Sequence, residues 1–557
     1  MEMADTLECS YTNINNFLHH GASSKCEFAM KYCGEENNYI NTITLYYCNL
    51  DEHMIPMVLI AIPWLLLCFY WLSSTSERYL EPSLSRVAKI FRLSESLAGV
   101  TIIAFANGAP DLISAYVASQ SRQKEGINLA FGALFGASVF TTSIILARVI
   151  YNAKSLQLSA RTLIRDCGFY ILADIYIFYL GTLQQITLGH VLVLFISYTL
   201  YVALVIGKEI MDRRSGTLKP VDFETPTLPK KKAKELIENV KQPVSPAKPQ
   251  FAIEPAMGSP SGATVPSCSE IPSSQTELKI GIEDSKDDVD ITNREKIQVA
   301  INRSLNMVFN GWKVVETPLN WIRDITIPKV IRPPVNRTRI VLYPFFCSLF
   351  IVWEFEILAE YGTNPIFWVI FTSSTGISGA LFWIISRNQR GQKVLSGLFM
   401  LAGAIMAVLW VRLVADLLID LLVVIKVASG LPMNLIGLTV LAWGNSANDF
   451  FVDVALAKNG FGIMAASGIF SGQYFNMQIG FGMLLLLEGG GAKLSLFNGT
   501  TGSKINYVLV ICSLVSLIGT LGYGTFRKFT LDKKYAQFLF AFYIVFCCVI
   551  CGIVMFF

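Results

Sequence analysis

A succession of apolar segments, each long enough to cross a lipid bilayer, limits what this 557-residue chain can fold into. A spanning helix needs about 20 mainly apolar residues. Twelve segments reach that length or come close: 54–74, 95–119, 127–147, 164–181, 186–207, 339–358, 365–386, 396–427, 434–456, 463–487, 506–523 and 536–557. Lipid offers no hydrogen bonds, so an apolar run of this length must satisfy its own backbone, and a helix does so. The charge content agrees. Only 15% of residues are charged, against about 25% in soluble proteins. The sequence predicts an all-α polytopic membrane protein with about twelve transmembrane helices. A net charge of +4 with no basic patch excludes a nucleic-acid partner; the surrounding partner is membrane lipid.

Orientation follows from the loops. With the N-terminus outside, the short inner loops, with Arg165 at the start of the 164–181 span, carry sixteen Lys and Arg residues and the short outer loops four. Basic residues accumulate on the inner side, so both termini are predicted outside. The tail, 1–53, holds Cys9, Cys26, Cys33 and Cys48. Four cysteines in a short polar segment predict two disulfides on an oxidising side, with three connectivities open. A zinc site is the competing reading, but the tail has no CxxC pair. Asn498-Gly-Thr is a glycosylation acceptor on the same side. Met1–Ser10 lacks the basic start and apolar run of a signal peptide, and the Arg content of a mitochondrial presequence. The membrane is therefore open, plasma or organellar.

The chain divides into four parts: the tail, a first membrane half (54–207), an inner-side loop (208–338) and a second half (339–557). Residues 215–290 are rich in Pro, Ser, Lys and Glu, a composition that cannot bury a core and predicts disorder. Residues 294–322 are amphipathic. They can lie on the membrane surface or pack on the loop side of the bundle.

Within the two halves lies an internal repeat. GVTIIAFANGAPD at 99–111 matches GLTVLAWGNSAND at 437–449, with Gly, Thr, Ala, Asn, Ala and Asp identical in register. The first copy belongs to a repeat over 95–147, the second to one over 434–487. After each copy comes a GxxxG spacing, Gly132/Gly136 and Gly468/Gly472. In the predicted topology the copies run in opposite directions. Inverted repeats with interrupted helices place a transport site near the bilayer midplane. Pro110 lacks an N–H and disfavours helix before it. Gly108 and Gly444 loosen the same turn. The interruption predicted there frees carbonyls that lipid would not tolerate, so they face protein or a watery cavity.

Asp111 and Asp449 lie in otherwise apolar helices with no Lys or Arg nearby in either copy. A carboxylate at depth costs a few kcal/mol and needs a partner. Two carboxylates neutralise one Ca2+, which takes 6–8 hard oxygens. Asn107, Asn445 and Ser446 add amide and hydroxyl oxygens. Asn476 adds an amide from the following helix, and Asp453 stands one turn after Asp449 as a further acid. Hydrogen bonding between helices explains a lone Asn or Ser, but poorly explains two carboxylates in matched copies. The GxxxG glycines read first as close-packing residues, with Gly472 able to serve both roles. Glu354, Glu356, Arg412, Asp416 and Asp420 read as structural or vestibular, Arg412 and Asp416 pairing four apart.

The AFANGAPD and LAWGNSAND segments resemble the two alpha-repeats of the calcium/cation antiporter superfamily, and within it the cation/calcium exchanger branch. The resemblance takes in Tyr79-Leu-Glu-Pro, Ile325-Thr-Ile-Pro, residues 437–482 with Phe475-Asn476, and the cysteine-rich tail. It implies a sodium/calcium exchanger-like core of ten helices, so that 339–358 and 365–386 are additions. It also implies Na+-coupled Ca2+ exchange with Li+ as a substitute, no cofactor, and an organellar home such as the mitochondrial inner membrane. The family's ion-binding roles fall on Asn107, Pro110, Asp111, Asn445, Ser446, Asp449, Gly472 and Asn476. Two positions depart from the family pattern: Ala106 and Asn448 stand where the family carries Gly. Either can narrow the site, and Asn448 can add an oxygen.

The function so predicted is secondary active antiport of Ca2+ against Na+ or Li+ by alternating access, not enzymatic catalysis. H+ or K+ coupling is the near alternative, since desolvation can raise an Asp pKa until protons compete. An intramembrane aspartyl protease would also use two aspartates, but the chain has no GxGD sequence. A passive channel is the third class.

Overall fold

The computed structural model describes residues 11–16, 23–33, 42–50, 53–90, 104–120, 126–153, 156–183, 185–214, 314, 316–328, 337–355, 357, 361–458, 460–487, 496–497 and 501–556. Cys9, Asn498, Glu356, the side chains of Ala106 and Asn107, and the loop over 215–313 lie outside the described residues.

Two compact units result, one made of Met1–Leu218 with Trp321–Phe557, the other of Lys219–Asn320. In the second, the described residues include the first turn of a helix, where Asn320 Nδ2 donates to Glu316 Oε1 at 2.8 Å. The first unit is helical apart from one short antiparallel pairing, β1 (Leu156–Gln157) with β2 (Thr530–Leu531). Its first half holds α1 (Met54–Thr75), α2 (Ala104–Gln120), α3 (Gly126–Phe140), α4 (Ala160–Thr182) and α5 (Leu188–Arg214). Helix α6 (316–326) follows, and then α7 (Arg337–Glu354) and α8 (Pro365–Ile385). The second half continues with α9 (Gln389–Ser429), α10 (Ala442–Asn445), α11 (Ala447–Lys458), α12 (Gly462–Phe475), α13 (Thr501–Phe526) and α14 (Lys533–Phe556).

Among the described residues six helices are long and apolar enough to cross a membrane on length and composition alone. They turn large apolar side chains outward: Ile55 is 76% exposed, Ile366 66% and Ile544 63%. Water would penalise such a surface and lipid does not. The chain is an integral membrane protein.

Helix ends follow local chemistry. Asn364 caps α8, accepting from the Ile366 N–H, with Pro365 in the first turn where its missing N–H is harmless. Asn388 caps α9. Gly430 ends α9 at φ 69°, a left-handed turn that favours glycine. The 41 residues of α9 reach about 60 Å at 1.5 Å per residue. It packs against both α1 and α2.

Wider π-helical turns interrupt several helices. They occupy Ser76–Leu80 after α1, Thr141–Ile145 after α3, Gly437–Leu441 before α10 and Asn476–Gly480 after α12. A π turn leaves backbone groups off the regular ladder and is often found at functional sites. Three of these four lie within the repeats, 95–147 and 434–487.

The tail folds over the end of α9. Thr42 Oγ1 donates to the Asp420 carbonyl and Tyr47 Oη to that of Val427. Cys26 and Cys48 are bonded to each other, and Cys33 is also in a disulfide. Helices α7 and α8 pack on each other, and Glu354 of α7 reaches Arg412 of α9 at 3.9 Å, while Arg412 also meets Asp416 at 3.7 Å.

Just past the amphipathic stretch, residues 323–326 pack on the bundle. Arg323 is 2% exposed. Its Nη1 donates to Ser74 Oγ and Thr75 Oγ1, both at 2.8 Å. Tyr79 Oη donates to Asp324 Oδ1, and Trp410 Nε1 of α9 donates to Thr326 Oγ1 at 2.9 Å. The end of α6 thus clasps α1 to α9. Arg323→Met keeps the stem but strands two buried hydroxyls, a loss of about 2–3 kcal/mol. The midpoint of thermal unfolding in detergent is expected to fall by several degrees; an unchanged midpoint would show that the clasp adds nothing.

Candidate cation site

The two repeats interlock rather than lie side by side. A Cβ added at Gly132 would stand 2.4 Å from the Asn434 carbonyl oxygen, one at Gly136 2.6 Å from the Leu438 Cα, and one at Gly437 2.3 Å from the Leu129 carbonyl oxygen. Backbone therefore lies directly on backbone between α3 and the segment leading into α10, as small residues allow. In the second repeat the glycines differ. Nothing lies within 4 Å of a Cβ at Gly472, and at Gly468 only Asp453 Oδ1 comes near, at 3.9 Å. Those two glycines leave space instead of filling a contact.

Pro110 does not break its helix, contrary to the expected interruption there. It sits inside a continuous α2. The helix survives because Pro removes only one hydrogen bond, that to the Ala106 carbonyl. The break lies in the second copy, where Ser446 is the turn between α10 and α11. Its N–H still donates to the Ala442 carbonyl at 3.1 Å.

Asp111 is enclosed, 5% exposed. Asn476 Nδ2 donates to its Oδ2 at 2.8 Å, and Asn445 lies beside it. Asn445 Nδ2 further donates to Ser114 Oγ at 2.7 Å, and Ser114 Oγ to the Asp111 carbonyl at 3.1 Å. Both amides thus spend their nitrogens on holding Asp111 and its helix. Their oxygens are left over: Asn445 Oδ1, Asn476 Oδ1 and Ser446 Oγ are all buried with no hydrogen-bond partner. Buried acceptors are normally satisfied, and a hard cation is a partner that asks only for oxygen.

Asp449 lies within Coulomb range of both Asp111 and Asp453, and it and Asp453 are half-buried. Among the described residues no three His, Cys, Asp or Glu side chains converge on one point; the candidate site is a carboxylate pair with two amides and a hydroxyl beside it. The structure brings together Asp111, Asp449, Asn445, Ser446 and Asn476, with Gly472 facing open space. Asp453 turns toward Gly468. Asn448 is half-buried with no hydrogen bond assigned to it.

Two supporting residues were missed in the sequence. Ser114 fixes Asn445. Gly108 seats Asn476, since a Cβ there would stand 2.3 Å from Asn476 Oδ1. In the sequence Gly108 reads only as a loosener of the turn, and Ser114, one serine among many, lies outside the repeated motif.

The sodium/calcium exchanger protein family matches residues 61–207 and 399–552, more than half of the chain. The chain belongs to the sodium/calcium exchanger protein family. It is a transporter, not an enzyme. The family match skips 208–398 and with it the α7–α8 hairpin. Across nearly its whole length the chain is similar to the mitochondrial sodium/calcium exchanger protein of Rattus norvegicus, 28% identical over 95% of this chain and 87% of the relative. It is similar also to the same-named protein of Homo sapiens, 26% identical over 94% and 87%, and to cation/calcium exchanger 5 of Arabidopsis thaliana, 25% identical over 92% and 85%. The crystal structure of the H+/Ca2+ exchanger CAX is 11% identical over 89% of this chain and 87% of that one, with a TM-score of 0.44.

Ala106→Gly places at this position the glycine that the resemblance read in the sequence implies, at the carbonyl left without its helical donor by Pro110. The exchanger is expected to change its Na+ against Ca2+ preference in competition flux; an unchanged preference would make the departure silent.

Proposed function

We propose that this exchanger carries Ca2+ on the Asp111–Asp449 pair and returns Na+ through the same oxygens. The observation that carries the reading is the set of unpartnered buried oxygens on Asn445, Ser446 and Asn476 beside a carboxylate that those same asparagines hold in place. One Ca2+ cancels two carboxylates, and Na+ ions must enter together to do the same. Empty, the site is a pair of like charges in a poorly polarisable interior, and moving it across the barrier is unfavourable. That penalty couples the two fluxes.

The geometry also supports a direction of access. Asp111 is enclosed while Asp449 and Asp453 are half-buried and Gly472 fronts open space. A cation reaches the pair from the Asp449 side, with Asp453 as an outlying attraction, and the interlocked α3–α10 contact separates it from the other face. The disulfide-bonded tail and the excess of inner basic residues support both termini lying on the extracytosolic side.

Radiolabelled Ca2+ uptake into proteoliposomes under imposed Na+, Li+, K+ or H+ gradients tests the coupling. Uptake driven by outward Na+ or Li+ gradients at fixed pH is the expected result. Uptake that follows H+ alone would assign the counter-ion to protons, and uptake with no counter-ion would make the protein a channel.

A further inference from the structure

Asp174 is a membrane-buried carboxylate that the site described above does not use. Asp174 lies well inside α4 and is 0% exposed. Its Oδ2 accepts from Ser513 Oγ of α13 at 2.5 Å, while its Oδ1 is buried with no partner. Ser513 Oγ lies 2.8 Å from Ser138 Oγ of α3, and Tyr170 Oη donates to that same Ser138 oxygen at 2.5 Å. Two carboxylate oxygens and three hydroxyls from three helices thus form one connected cluster. No Lys, Arg or His interacts with Asp174 among the described residues. Its titratable neighbour is Tyr170 on its own helix; α13 meets it with the Ser513 hydroxyl, and the α3 hydroxyl of Ser138 backs Ser513. Asp166, two turns earlier on α4, makes the contrast: it has Arg165 Nε at 2.7 Å, Tyr201 Oη at 2.9 Å and Ser467 Oγ at 3.3 Å.

A lone carboxylate at membrane depth needs one compensating positive charge. Ca2+ would leave a surplus charge and find too few oxygens. We propose that Asp174 holds one monovalent cation, Na+ (or Li+) or a proton, on its free Oδ1, as a second cation site whose carboxylate is fixed at Oδ2 by the hydroxyl chain of Ser513, Ser138 and Tyr170. The site is separate from the carboxylate pair. Ser138 follows Gly136 by two residues, about 200° round α3, so the helix turns Gly136 to the second repeat and Ser138 to this cluster. Its occupant neutralises Asp174 and ties α3, α4 and α13 together in whatever state the Ca2+ site is in.

The test uses the full-length chain carrying Asp111→Asn and Asp449→Asn, which disables the first site and touches none of the four residues. Two readouts are taken in lipid: equilibrium binding of radiolabelled Na+, and the infrared carbonyl band of a protonated carboxylic acid. The double variant is expected to keep one of the two signals, one equivalent per chain, and adding Asp174→Asn to remove it. A lost Na+ signal identifies the metal ion and a lost band the proton. Ser513→Ala, which preserves the carboxyl group, is expected to weaken Na+ binding or shift the band, and serves if the Asp174 variant does not fold. If neither signal survives in the double variant, or if Asp174→Asn and Ser513→Ala leave both unchanged, the proposal is wrong. If the double variant still exchanges Ca2+, the reading of the first site fails while this one stands or falls on its own signals.

Discussion

Asp111→Asn is expected to abolish Ca2+ exchange while the protein still folds and reaches the membrane, and Asp449→Asn to do the same. The argument is electrostatic. Asp111 is enclosed, with the Asn476 amide donating to it and Asn445 beside it, so its charge has few competing partners besides the transported ion. Removing one member of a buried charge pair typically costs about 3–5 kcal/mol, which at 1.4 kcal/mol per decade is roughly a hundred- to several-thousand-fold loss of affinity. The unliganded fold gains from the same change, because a neutral amide is cheaper at membrane depth than a carboxylate. Loss of flux with normal membrane yield is therefore the expected pair of results in a proteoliposome assay with quantified protein. Normal flux in either variant would remove the carboxylate from the transport site.

Gly108→Ala is expected to have the second-largest effect, though it adds one methyl group and no charge. The new Cβ would stand 2.3 Å from Asn476 Oδ1 and 3.2 Å from the Phe475 ring. The asparagine must then leave. With it go a donor to Asp111 and an oxygen of the site. Ca2+ affinity should fall by at least tenfold with helix content unchanged, since Ala is a better helix former than Gly. Flux measured against Ca2+ concentration checks it. A wild-type half-saturation would mean that Asn476 does not need its place over α2.

The sequence exposes the membrane helices and the paired aspartates because both obey strong rules: lipid demands long apolar runs, and a motif that recurs in register advertises itself. The tail was legible in part, since cysteines in a polar segment imply disulfides before any pairing is known, and Cys26 with Cys48 is one of them. Other features left weaker traces. Pro110 reads as a breaker, yet one missing hydrogen bond is tolerated where neighbouring helices hold α2 straight. Asp174 occurs once, without a repeat partner, and only the fold brings Ser513 from the far end of the chain to meet it. Arg323 looks like one more charge on an amphipathic stretch, and nothing local reveals that Ser74 and Thr75 wait for it. The matched GxxxG spacings read alike, but one pair bears backbone contact and the other opens space. That difference depends on what packs opposite.

The most direct measurement is the position of the ion itself: a structure of the purified exchanger in lipid with Ca2+ or an anomalously scattering divalent substitute, at a resolution that shows single ions. The divalent density should lie between the carboxyl groups of Asp111 and Asp449, within coordination distance of Asn445, Ser446 or Asn476, and vanish in Asp111→Asn. A divalent ion bound elsewhere in the membrane interior, with the two carboxyl groups left apart and empty, would contradict the account.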